Sequence, residues 1–190
     1  EGGHGAVMAE VVGFREDRVL LMPLGEMQGI GPGSRVVMKG HVASVSVGPQ
    51  MLGRIFDGLG HPLDGLPPVR TDVQVPLYAP PLNPLHRARI TQSVDLGIRA
   101  INALLTCGQG QKIGVFAGSG VGKSVLLGMI SRYTQADVRV IALVGERGRE
   151  VKEFLERDLT PEARARSIVV VATSDQPPLV RIRGALVATA

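Results

Sequence analysis

The sequence of 190 residues has one cysteine, no tryptophan, and only two tyrosines and four phenylalanines. A single cysteine excludes an internal disulfide and a cysteine-based zinc site, and it fits a reducing compartment, with the cytoplasm expected. Cys107, just before Gly108, reads as a small buried apolar residue. With so few aromatics the core has to be built from Val, Leu, Ile and Met. The stacking platforms that grip single-stranded nucleic acid are also scarce. No apolar run approaches the roughly 18 residues of a membrane span. The N-terminus, Glu1-Gly2-Gly3-His4, has no basic head before an apolar stretch, so no secretory signal is read there. A large excess of charge of one sign is absent as well. Lys plus Arg number 21 against 17 Asp plus Glu, a net +4, which reads as solubility charge rather than a nucleic-acid footprint. His4, His41, His61 and His86 share no spacing of a metal site or a catalytic triad and read as surface or structural groups. What is present is globular: 44% hydrophobic and 20% charged residues exclude wholesale disorder.

The first third reads as β. Short Val-rich runs at 6–12, 17–24, 35–38 and 42–47 are punctuated by Gly13, Gly25, the Gly29-Ile30-Gly31-Pro32-Gly33 turn, Gly40 and Gly48, the pattern of a small barrel or sandwich. The segment Asp57 to Gly65 reads as paired turns that close this region. Between Pro67 and Pro84 six of eighteen residues are proline. Proline removes backbone donors and fixes φ, so the stretch is expected to be extended. The expected division is a partial barrel over 1–66, a connector over 67–92 and a nucleotide-binding unit over 93–190. The alternative for the middle stretch is a loop crossing one domain.

From Ser93 the period changes. Val94, Ile98, Ile101 and Leu105 share a helical face behind a Ser93 or Asp95 cap. Lys112 to Ala117 reads as a strand, Lys123 to Tyr133 as a helix, and Val138 to Val144 as a strand buried on both faces. Val151, Phe154, Leu155 and Leu159 form a second helical stripe. Ser167 to Thr173 reads as a third strand, and a helix starts near Pro178. This alternation means an α/β domain with a mostly parallel sheet. The β pattern opens almost at residue 1 and the last helix still runs at Ala190, so the sequence is expected to be cut short at both ends.

Residues 117–124, Ala-Gly-Ser-Gly-Val-Gly-Lys-Ser, fit the phosphate-loop pattern with Ala117 in place of its first glycine. Glycines let the backbone wrap a polyphosphate with its N–H groups pointing inward. Lys123 suits the β- and γ-phosphates, the Ser124 hydroxyl suits Mg²⁺, and the helix that opens there points its positive end at the anion. Gly145-Glu146-Arg147-Gly148-Arg149-Glu150 ends the next strand at the same rim of the sheet, where ligands of parallel sheets collect. Two readings fit Glu146: the carboxylate that orients an attacking water, or an acid at a helix N-terminus. Arg147 and Arg149 suit phosphate contact or pairing with Glu150 and Glu153, with pairing favoured for Arg149. Asp175, at the end of the third strand, suits a supporting place in the site or the cap of the last helix, with the cap favoured.

These motifs resemble the ATPases of type III protein secretion, in flagella and injectisomes, which are relatives of the catalytic β subunit of rotary ATP synthases. The resemblance covers essentially the whole chain. It is carried by Leu52 to Gly60, Pro62 to Gly65, the connector from Pro80 to Ile90, the loop from Phe116 to Ser124, and Gly145 to Glu150. It implies a RecA-like P-loop domain with a mostly parallel sheet behind part of a small N-terminal β-barrel, in a homohexamer with ATP at subunit interfaces. By resemblance Glu146 takes the catalytic glutamate's place, with Lys123 and Arg147 beside it. Gly118, Ser119, Gly120, Val121, Gly122, Lys123, Ser124 and Val125 take the ATP-binding places, and Ser124 also the Mg²⁺ place. The metal-side Asp, the arginine finger, the adenine contacts and a helical C-terminal domain are implied to lie beyond Ala190.

The implied function is ATP hydrolysis that drives protein export by releasing and unfolding chaperone-bound cargo. Its implied partners are chaperones, cargo, stalk and regulatory proteins, with no nucleic acid. Its implied place is cytoplasmic, peripheral at the inner-membrane export gate. The synthase β subunit carries Ala at the position of Ser119 and Thr at that of Gly148, so these residues and the connector favour the export branch. A RecA-like nucleic-acid motor needs stacking aromatics, and the N-terminal third offers only Phe14 and Phe56. Nothing in the sequence separates a flagellar from an injectisome system.

Overall fold

The computed structural model describes residues 6–40, 42–71, 73–118 and 120–190. His4, His41 and Ser119 lie outside them. The chain opens on an antiparallel hairpin, β1 (Ala9–Arg15) and β2 (Arg18–Pro23), with a bulge between Val11 and Gly13. Next come β3 (Ser44–Val47), β4 (Ile55–Asp57) and β5 (Val73–Pro76). The run at 35–38 forms no strand, and Met38 is 91% exposed. Its β-branched residues find no neighbouring strand among the described residues, and propensity without a ladder does not make one.

β3 and β5 pair antiparallel, with Val45 opposite Val75. The proline-rich stretch is therefore extended, as expected, but its middle is a paired strand. The expected turns after β4 are also present. The Asp57 carboxylate accepts from the amides of Leu59 and His61, each at 2.8 Å.

The second half carries β6 (Ser93–Val94), α1 (Arg99–Leu104), β7 (Cys107–Gly108), α2 (Lys123–Tyr133), β8 (Arg139–Val144), α3 (Gly148–Glu153), a π-helical turn at Phe154–Asp158, α4 (Pro161–Ala165), β9 (Ser167–Ala172) and α5 (Pro178–Thr189). Its three-stranded sheet is parallel, in the order β4-β9-β8, and β6 and β7 form a separate antiparallel pair. β4 reaches this sheet from the N-terminal side of residue 66, so one strand of the parallel sheet lies before the expected division. Arg54 anchors it by donating to both carboxylate oxygens of Asp64, which also accepts from the amide of Ile55.

The core gathers around β9, whose Val169 and Val170 are each 1% exposed. Val169 packs with Ile55, Phe154, Leu159 and Ala163, and Val170 with Val45, Leu77 and Val187. The expectation of full burial thus suits β9 and not β8, an outer strand whose Val140 is half exposed.

Four more expectations change. Residues 112–117 form no strand: they pair with none of the described strands, among which β8 keeps a free edge, and apolar β propensity without pairing does not make a strand. α1 begins at Arg99 behind Ile98 rather than behind a Ser93 or Asp95 cap. The Asp95 carboxylate accepts instead from Gly97, Asn102 and Gln135, and so ties the start of α1 to the end of α2. The stripe at 151–159 is not one α-helix, since the π turn swings Asp158 inward to 4% exposure. Finally, α5 is preceded by Pro177 with no side-chain cap, so Asp175 does not cap it.

Candidate functional site

The site lies where α2 begins and β8 ends. Gly120 and Gly122 both have positive φ, 79° and 100°, a backbone region open to glycine at little cost. Through these two left-handed residues the chain turns into α2, with Gly122 as its N-cap residue. The amides of Lys123, Ser124 and Val125 form the first turn of an eleven-residue helix. Such amides have no partner within their own helix and point at whatever sits before it. Gly118 and Val121 flank this turn, and Val121 is 72% exposed.

At the end of β8, Gly145 again has a positive φ, 75°. It bends the chain so that Glu146 leaves the strand directly toward α2. Lys123 Nζ lies 3.8 Å from Glu146 Oε1, with side chains 41% and 34% exposed. Glu146 thus meets the loop lysine rather than capping α3, whose N-cap residue is Arg147. Arg147 pairs with Glu150, 3.7 Å away. Arg149, for which such a pair was expected, makes none among the described residues. Of the candidate residues the fold therefore brings Lys123, Ser124 and Glu146 together, and it turns Arg147 toward its own helix.

A cavity of about 310 Å³ between α2 and β8 is lined by Ser124, Leu127, Ser131, Arg139, Glu146 and Phe154, among others. Ser124 and Glu146 line the end where α2 begins and β8 ends. Arg139, a residue that the sequence reading passed over within an apolar run, lies at the other. It is 9% exposed and donates to the Thr134 carbonyl at 2.8 Å, while its Nε and Nη1 have no partner among the described residues. Burial, reinforced by Arg166, holds its pKa below the usual arginine value.

The donor set can be tested against a nucleotide and its metal. A cation, a helix N-terminus, a hydroxyl and a backbone turned by positive-φ glycines converge on one open rim, and a carboxylate faces them. Amides and a lysine are phosphate donors, and a hydroxyl oxygen is a hard ligand of the kind Mg²⁺ takes. The residues fit the group. Among the described residues no cluster of three His, Cys, Asp or Glu forms a separate metal site.

Residues 97–190 match the nucleotide-binding domain of the ATP synthase alpha/beta family, and residues 1–40 match that family's beta-barrel domain. The chain belongs to the ATP synthase alpha/beta family. Within it, the chain is 55% identical to the Flagellum-specific ATP synthase of Salmonella typhimurium, over 96% of this chain and 42% of that protein. It is 48% identical to the Type 3 secretion system ATPase of Xanthomonas euvesicatoria, over 96% and 41%. The assembled ATPase EscN of the enteropathogenic E. coli type III secretion system superposes with a TM-score of 0.89 at 46% identity, over 96% of this chain and 44% of that one. EscN in complex with its central stalk EscO gives a TM-score of 0.87. The chain thus spans less than half the length of these relatives. The fold class expected from the sequence, a P-loop α/β unit behind part of a β-barrel, agrees with both family matches. No helix among the described residues is long and apolar enough to cross a membrane.

Proposed function

We propose that this chain is the barrel and nucleotide-binding portion of an ATPase that drives type III protein export, in a flagellum or an injectisome. The observation that carries the reading is the approach of Lys123 and Glu146 across the mouth of the site, 3.8 Å apart. It joins a phosphate-binding cation to a carboxylate able to orient water. In this reading the amides from Gly118 to Val125, Ser119 included, cradle the phosphates of ATP. Lys123 holds the terminal phosphates, and Ser124 contributes its hydroxyl to Mg²⁺. The metal's contribution when bound is to neutralise phosphate charge. Glu146 accepts the hydrogen bond of the attacking water and fixes its direction. Arg147 reaches the phosphates only if its pair with Glu150 opens.

The complete protein works as a homohexamer with ATP at subunit interfaces, on the cytoplasmic side of the inner membrane. There it serves a stalk protein, regulatory proteins and chaperone-bound cargo, which it releases and unfolds. The likeness to EscN, solved as an assembly and with its stalk, supports the hexamer and the stalk.

The decisive experiment is Lys123→Ala in the complete protein. Lys123 is half exposed and makes one surface pair, so the circular dichroism spectrum should not change. Nucleotide binding and Mg²⁺-dependent turnover should be lost. Parent-like nucleotide affinity in that variant would refute the phosphate-loop role. Turnover stimulated by nucleic acid rather than by export chaperones would refute the export role.

A further inference from the structure

Glu146 is a side chain on a loop, and a loop carboxylate orients water only if its backbone is held. Two hydrogen bonds hold it, one to the neighbouring strand and one from the turn that follows that strand. The Gly145 amide donates to the Ala172 carbonyl at 2.7 Å, and the Ser174 amide donates to the Glu146 carbonyl at 3.0 Å. The first continues the β8–β9 ladder. The second lies beyond the end of both strands, where pairing normally stops. It comes from the turn between β9 and α5, which is closed by the Gln176 amide donating to the Thr173 carbonyl at 3.1 Å. The Ser174 and Asp175 side chains are exposed. The Thr173 hydroxyl beside Asp175 holds that carboxyl below its usual pKa, so charge on Asp175 favours the closed turn.

We infer that the turn from Thr173 to Gln176 is a positioning element for Glu146, acting through the main-chain amide of Ser174. The inference rests on the proposed role of Glu146. Its geometry is that of a brace. Gly145 gives the chain a bend with no side chain to wedge it, so Glu146 would pivot about that bend if only the Gly145 bond held it. The Ser174 bond pins the peptide that follows Glu146, so the backbone is tied both before and after this side chain, which fixes the direction in which the carboxylate leaves β8. Ser174 does not touch the phosphates or water. Its loss should therefore lower the rate of hydrolysis and leave nucleotide binding, which Lys123 and the α2 amides carry, as it was.

The turn supplies its own clean perturbation. Ser174 is the second residue of a four-residue turn, the position where proline is favoured, and the residue before it lies outside any helix, in line with the bias of proline against a helical predecessor. Ser174→Pro therefore keeps the turn and deletes the one N–H that reaches Glu146. Ser174→Ala keeps the amide and serves as the reference. In the complete protein, turnover of Ser174→Pro should fall at least tenfold below Ser174→Ala, while the dissociation constant for a fluorescent ATP analogue stays within twofold. In a Glu146→Gln background the same Pro/Ala ratio should collapse to about one.

A Pro/Ala ratio within twofold in the parent background would overturn the inference. So would a parallel loss of nucleotide binding, or a ratio that persists in the Glu146→Gln background, because the turn would then act on the fold and not on Glu146. Glu146→Gln alone separates this failure from that of the underlying reading. If that variant turns over normally, the role of Glu146 falls and the brace with it. If it is silent while Ser174→Pro is active, only the brace falls.

Discussion

Replacing Glu146 by Gln keeps the shape and hydrogen-bonding capacity of the side chain and removes its charge, to which the proposed function gives two separable effects. The first is the pair with Lys123. At 3.8 Å and with both side chains more than a third exposed, a pair of this kind contributes about 0.2–1 kcal/mol. Its removal should shift the melting temperature by no more than about 4 °C in a domain of this size. The same pair occupies the lysine that phosphate needs. Losing it should leave nucleotide affinity unchanged or tighten it by up to about fivefold, the equivalent of 1 kcal/mol. The gain should shrink as salt rises, since screening weakens an exposed pair within about a 10 Å Debye length at 0.1 M.

The second effect is on hydrolysis. A carboxylate that takes up the proton of an attacking water is worth about 10²–10⁴ in rate, so turnover should fall by about 10² or more. A coupled ATPase assay, a fluorescent-nucleotide titration at two salt concentrations and a melting curve on the complete protein read the three quantities independently. Turnover within twofold of the parent would refute the water-orienting role. Affinity weaker than the parent at low salt would refute the competition between Glu146 and phosphate for Lys123.

Two features away from the site make further predictions. The Arg54 guanidinium, together with the amides of Leu66 and Ile55, lowers the Asp64 carboxyl from the ordinary 3.8 to about 2, and the Asp64 side chain is only 2% exposed. A depressed carboxylate stabilises the fold above its unfolded pKa and loses that contribution as pH falls through the folded one, so about 2 kcal/mol should vanish between about pH 4 and pH 2. Denaturant titration should find Asp64→Asn less stable than the parent by about that much at pH 7, and the gap should close toward pH 2. At the other end of the chain, Arg183 of α5 donates to Glu10 of β1 at 2.9 Å, and the Tyr78 hydroxyl donates to the second Glu10 oxygen at 2.9 Å. Arg183→Met should cost about 1.5–3 kcal/mol, the scale of a charge-assisted hydrogen bond. Amide exchange should rise first in β1 and β2, the elements this bond ties to the nucleotide-binding half.

How much of this was legible in the sequence depends on where each segment finds its partner. α2 begins and ends at the residues read from its pattern, because a glycine-rich turn and a 3.6 period are local signals. β9 was legible as a strand over Ser167 to Thr173, and its Val169 and Val170 are buried. The site was legible for the same reason: Lys123 follows its own turn and Glu146 ends its own strand, so topology alone sets them on one rim. β4 carries no such signal. Three residues, Ile55 to Asp57, have no period, and their register against Val169 to Val171 is set by Arg54, Asp64 and Phe56 only once β9 exists. The segment at 112–117 fails in the opposite sense, since its composition asks for a ladder, yet it pairs with no described strand although β8 keeps a free edge among them. The stripe from Val151 to Leu159 has the right residues at the wrong pitch, because one wide turn at Phe154 to Asp158 brings Asp158 against Gly128 of α2. The Ser174 brace could not have been read at all. Every residue but proline has an amide, and only the course of two strands determines which one meets Glu146. Residue type can therefore name the groups proposed for the chemistry, but the groups that hold them still are chosen by backbone geometry. The sharpest tests of this site accordingly replace an amide as well as a side chain.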